Sequence, residues 1–230
     1  MTPKHTPDFA APHPGHQPDP GTPGQPGVPR TPWEPQVPRP LEPAGPVRVW
    51  LDPSDWQGQL NARLLERRIV MASGMLDEEG ATRLSAQLLT LDAEGDGPIR
   101  LEMQNLRADL PAALAVMGVL DVVRVPVLAQ AGGEVRGAAL GILAACPRRL
   151  AYPNALFAFA EPRLDIAGTV TALTERQRHA QRMLDSLYYR IAEATGRDPD
   201  EIREDFRQAR TLAAAEAIGY GLIHDRLDQR

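Results

Sequence analysis

The sequence contains a single cysteine, Cys146, among 230 residues, and aromatic residues make up only 5 % of it. One thiol cannot close an internal disulfide, which fits a reducing compartment. Set in an apolar, alanine-rich stretch, Cys146 is expected to be a small buried hydrophobe and not a nucleophile. Nowhere is there a run of the roughly 18 apolar residues that a membrane-spanning helix needs. The longest candidate, residues 137–146, is too short and too rich in alanine. The N-terminus has no basic start followed by an apolar stretch, so no secretory signal is visible and a soluble, cytoplasmic protein is expected. Lys and Arg number 25 against 30 Asp and Glu, a formal net charge of -5, which argues against nucleic acid as a main partner. Two further absences bear on chemistry. No serine occurs between Ser85 and Ser186, and no histidine between His16 and His179.

Proline is plentiful but unevenly spread. Residues 1–46 hold 15 of the 23 prolines, together with Gly, Gln, His and Thr, and few large aliphatic side chains. Such a segment buries too little apolar surface to offset its ordering entropy, so a disordered tail of polyproline II character is expected. His5, His13 and His16 lie there without a convincing ligand spacing, and neither metal nor cofactor is expected anywhere in the chain. Docking through a proline-rich motif is open but unspecific.

From residue 47 onward the pattern is that of a globular domain, 47–230. Val47, Val49 and Leu51 alternate as in a half-buried strand. A short strand is expected at residues 68–71 and a turn at Gly74. A helix should cover 76–91, with Leu84, Leu88 and Leu91 at helical spacing. A strand at 99–103 and a helix at 110–123 follow, then a strand at 126–129. Gly132 and Gly133 break the chain before a buried helix at 137–146. Strands at 150–152 and 156–159, a long helix at 169–195, and two short helices with a final strand complete the expected order. Strand and helix alternate, which implies an α/β fold with a largely parallel sheet.

Within this pattern, Leu64-Leu65-Glu66-Arg67-Arg68-Ile69-Val70 resembles the opening of the Clp protease proteolytic subunit (ClpP) family. Asp77 and the helix after it, with Gln87-Leu88-Leu89 and Leu91, are similar to that family's first core helix. Ala192-Glu193-Ala194-Thr195-Gly196, Ile202, Asp205, and Ala214, Glu216, Ala217 with Tyr220-Gly221-Leu222-Ile223 resemble its C-terminal series in register. The resemblance spans residues 64–227. It implies a ClpP/crotonase-like spiral of repeated ββα units with a projecting handle helix, here residues 169–195, where Gly168 and Arg178 match the family.

The resemblance also implies where a Ser-His-Asp triad would stand. The serine position falls at Gly137, or with a one-residue slip at Arg136 or Ala138. The histidine position is Ala160, and the aspartate position is Ala209. Asp205 matches a different, structural aspartate. The family's glycine pair in the oxyanion turn is replaced by Arg107 and Ala108, and side chains there are expected to resist the backbone conformations that glycine allows. His179 lies inside the long helix, far from the site in sequence.

The expectation is therefore a pseudoprotease: a non-catalytic homo-oligomeric subunit, or one joined to active ClpP subunits, with docking of a Clp ATPase left open. Two alternatives stand beside it. One is a peptidase with a rearranged site using Glu134, Arg136 and Glu161. The other is a crotonase-like acyl-CoA-binding protein.

Overall fold

A computed structural model describes residues 56–162 and 170–227. The expected tail and the strand at Val47–Leu51 lie outside the described residues. The opening helix, α1 (Trp56–Glu66), leads through Arg68 into β1 (Ile69–Leu76). Helix α2 (Glu78–Glu94) is started by Asp77, whose carboxylate accepts the Gly80 N–H. Then come β2 (Ile99–Ala108), α3 (Leu110–Val122), β3 (Val127–Gly132), β4 (Glu134–Gly137) and α4 (Ala139–Ala145). The chain continues through β5 (Arg148–Ala151), β6 (Leu156–Ala158), α5 (Val170–Thr195) and α6 (Pro199–Arg207), and ends with β7 (Thr211–Ala213), α7 (Ala214–Tyr220) and β8 (Asp225–Arg226). All strand pairs are parallel except β6 with β7.

The sheet curls because it forks. The first half of β2 pairs with β3, which continues to β5 and β8, and the last residues of β2 pair with β4, which continues to β6 and β7. In β2, Asn105 takes a left-handed conformation with φ 49 and drops out of the β1 ladder, which shifts register between Ser73 and Gly74. Its Oδ1 accepts the Glu134 N–H at 3.1 Å. On the other side, Gly133 has φ 62, and any Cβ there would meet that same Oδ1 at 2.1 Å. The turn between β3 and β4 thus tolerates only glycine.

The core is mostly aliphatic, with Phe157, Phe159 and Phe206 fully buried as well. Ile99, Leu101 and Met103 of β2 are wholly buried, as are Leu140, Ile142 and Leu143 of α4 and Leu187 and Ile191 of α5. One cation sits among them. Arg149 donates to the carbonyls of Cys146, Ala194, Gly221 and Leu222 at 2.8 to 3.3 Å. These carbonyls close the C-terminal ends of α4, α5 and α7, where the helix dipoles favour positive charge. Cys146 is fully buried as expected, and burial pushes its thiol up to about 12.

Several boundaries differ from those expected. Gly74 bends β1 without ending it, so α2 starts at Glu78 and Leu76 belongs to the strand. Residues 134–137 form strand β4, and helix α4 begins only at Ala139. The final strands lie on either side of α7, with β7 between the two short helices. The long helix has an exposed N-terminal stretch, residues 174–179, and a C-terminal half packed on α3, α4 and α6. Among the described residues no helix is long and apolar enough to cross a membrane.

Candidate functional site

The second arm of the fork gathers the positions singled out above. Ala108 in β2 is the ladder partner of Gly137, the last residue of β4. Gly137 has φ 62 and lies where strand turns sharply into helix. A Cβ built on it would come 3.1 Å from the carbonyl oxygen of Ala160, just past β6. The next contact leads on to Ala209, since Phe159 donates its N–H to the carbonyl of Arg210 at 2.8 Å. Parallel pairing of β4 with β6 and antiparallel pairing of β6 with β7 thus bring Gly137, Ala160 and Ala209 to one end of the arm. The side chains they bring are two methyl groups and a hydrogen.

Arg107 and Ala108 do not form a turn. The strand expected to end at Met103 runs on to Ala108, and neither residue has a positive φ. The segment adopts ordinary strand geometry, and neither side chain is forced into a backbone conformation reserved for glycine. It lies between β1 and β4, with Met75 and Arg136 as partners of Arg107, and Leu76 and Gly137 as partners of Ala108. A strand flanked on both sides engages its N–H groups in ladders, whereas a glycine turn leaves them free to meet an oxyanion.

Asp205 is pinned away from any base role. Tyr220 donates its hydroxyl to Oδ2 at 2.5 Å, and Arg210 donates to Oδ1 at 3.1 Å. Burial first, and then the bond to Asp205, push the Tyr220 phenol well above its ordinary range. The same ring has two cations against it, Arg197 at 3.9 Å and Arg210 at 5.3 Å from its centroid. Ala209 sits beside this cluster with φ 51.

Of the residues weighed for a rearranged site, Glu134 and Arg136 bind each other at 3.1 Å, and Glu161 is exposed. His179 is an exposed residue of α5. Among the described residues no group of three or more His, Cys, Asp or Glu is placed to hold a metal. Two residues that the sequence did not single out border the site: Arg210, through its bond to Asp205, and Thr211, the β7 partner of Ala158. Only the pairing of β6 with β7 reveals them, and no local motif signals that pairing.

The sequence profile of the Clp protease family matches residues 55–230. The chain is 30 % identical over 173 residues to the ATP-dependent Clp protease proteolytic subunit 3 of Nocardia farcinica, covering 73 % of this chain and 78 % of that protein. It is 31 % identical over 172 residues to subunit 1 of Rhodococcus jostii, with the same coverage. Against subunit 1 of Corynebacterium efficiens it is 30 % identical over 173 residues, covering 74 % of this chain and 83 % of that protein. With this match running through the whole forked sheet and its helices, the chain belongs to the Clp protease family.

Proposed function

We propose that this chain is a non-catalytic subunit of a Clp-type proteolytic complex, a member that contributes structure or docking surface without cutting. The observation that carries the reading is the side-chain content of one corner: Gly137, Ala160 and Ala209 stand where the resemblance expects serine, histidine and aspartate. None can attack a carbonyl or accept a proton. Loss of a triad costs about a factor of 10⁶ in turnover, and the remainder depends on an oxyanion hole. The strand conformation of Arg107 and Ala108 works against that remainder too.

The proposed assembly is a ring, of this chain alone or mixed with active ClpP subunits, in the cytoplasm, with α5 as the element that meets the opposing ring and a Clp ATPase as a candidate partner. The boundary between an appended tail at residues 1–46 and the ClpP-like domain at 47–230 belongs to the same proposal. The mutual pairing of Glu134 with Arg136 weighs against a rearranged peptidase. The family match weighs against a crotonase-like enzyme.

The test has two arms. A fluorogenic peptide and a serine-directed fluorophosphonate are offered to the purified chain, and native mass spectrometry is run on the chain alone and with an intact ClpP. No cleavage, no labelling and an oligomer in either mixture are the expected results. Cleavage by the pure chain, or a monomer in both mixtures, overturns the reading.

A further inference from the structure

The ladder that crosses the second arm sets five residues side by side on one sheet face: Met75, Arg107, Arg136, Ala158 and Thr211. Side chains of laterally paired residues project to the same face. Two arginines are therefore direct lateral neighbours, an arrangement that costs stability when nothing lies between them. Arg136 has a partner in Glu134, two residues earlier on the same face. Arg107 is exposed and forms no ion pair with any described residue. Glu134 thus pairs with Arg136 alone, and the second cation is held beside the first without compensation.

The surroundings say what kind of anion suits the pair. Met75 is 57 % exposed at one end of the row. Leu156, the ladder partner of Glu134, is 44 % exposed on the same face. Two cations flanked by uncovered apolar side chains match an extended segment in which acidic and apolar residues alternate. Planar guanidinium forks donate two parallel N–H bonds to a carboxylate.

We propose that Arg107 and Arg136 form a carboxylate-binding subsite for an acidic, apolar peptide on the face of the second arm. The inference deepens the reading of a subunit that contributes docking surface without cutting, and rests on that reading only for the fate of the bound peptide. Arg107 supplies the free cation, Arg136 supplies the second prong from its edge away from Glu134, and Met75 and Leu156 take the apolar side chains.

The experiment uses a fluorescein-labelled octapeptide of alternating leucine and glutamate, with a leucine–glutamine octapeptide as control. Both are titrated with the full chain by fluorescence anisotropy at low ionic strength, about 0.01 M, where exposed charges interact over a Debye length of about 30 Å. The glutamate peptide is expected to bind about tenfold more tightly than its control, the scale of one or two exposed charge-assisted contacts. Arg107→Gln and Arg136→Gln each remove that preference, whereas Arg83→Gln, on the exposed face of α2, leaves it intact. Arg107→Lys retains part of it. Equal binding of the two peptides, or an undiminished preference in Arg107→Gln, overturns the proposal. Mass spectrometry of the peptide after titration separates the two readings. A bound and intact peptide supports both, whereas a cleaved one overturns the non-catalytic reading and leaves the subsite standing.

Discussion

The α-carbon of Gly137 faces the carbonyl oxygen of Ala160 so closely that a side chain on the first would press on the second at 3.1 Å. The neighbouring atom is backbone and cannot swing aside. Gly137 also has φ 62, a region that costs an L-residue about 1–2 kcal/mol. Gly137→Ser should therefore lower stability by about that amount, a drop in Tm of roughly 2–8 °C for a domain of this size. It should also confer no peptidase activity, because Ala160 supplies no base. Calorimetry and a fluorogenic peptide assay check both. A stable and active variant would contradict the placement of this turn.

Ala209 illustrates the reverse case. It occupies the left-handed region with φ 51, where asparagine is better tolerated. Ala209→Asn should stabilise the fold by up to about 1 kcal/mol, seen as a rise in Tm of about 2–4 °C. A fall in Tm would show that the backbone there is set by something other than local preference.

Arg149 is the residue whose loss should hurt most. Four carbonyls from three helix ends converge on its guanidinium. Arg149→Met keeps the apolar bulk and leaves these acceptors buried without donors, each costing about 1–3 kcal/mol before relaxation. A destabilisation of about 3 kcal/mol or more is expected in urea unfolding. Arg149→Lys should recover only part of it, because one ammonium cannot serve acceptors spread around a planar fork.

Much of the helical scaffold could be read from periodicity. Leu84, Leu88 and Leu91 set α2, and strand and helix alternate as expected. What escaped was the fork, and the reason is physical. In β2 the buried residues run Ile99, Leu101, Met103 and then Leu106, so the bulge at Asn105 breaks the two-residue phase and makes the strand look finished. Gly132 and Gly133 read as breakers, and Gly137 as the start of a helix. In the fold the first two admit the side chains of Gln104 and Asn105, and the third ends a strand. Those demands come from residues far away in sequence, and no local pattern carries them. The candidate positions themselves came from a resemblance, but their meeting at one corner depends on the order β4, β6, β7. Arg149 escaped as well, since a charged residue after Pro147 and Arg148 gives no sign that it will be buried.

A pH dependence is expected from His224. Its Nδ1 accepts the Arg149 N–H at 3.1 Å, which requires the neutral ring. Burial, followed by the positive charge of Arg149, holds the imidazole below its ordinary value. A lowered folded-state value means that the unfolded chain binds the proton more readily. The contribution is therefore full above about pH 6.5 and is lost as pH falls through and below that point. Between about pH 7 and 5 the wild type should lose more Tm than His224→Gln. Parallel pH profiles of the two would contradict the assignment.

Glu102 should behave in the opposite sense. Burial raises its carboxyl, although Tyr152 donates a hydroxyl to it at 3.3 Å. The folded state then prefers the protonated acid, so stability falls as pH rises through and above about 4.5, and the ionised group is a burden at neutral pH. Glu102→Gln keeps an acceptor for Tyr152. It should raise Tm at pH 7, with the gain disappearing below about pH 4. An equal gain at both pH values would point to packing instead of charge.

The burial of Cys146 has a practical consequence. With its thiol protonated at any working pH and sealed in the core, the native chain offers no reactive sulfur to alkylating dyes. A cysteine introduced at Tyr189, 61 % exposed on α5, would be the sole labelling site without any background replacement. The protein is thus ready-made for single-position fluorescence, and energy transfer between chains labelled there would count neighbours in an assembly directly.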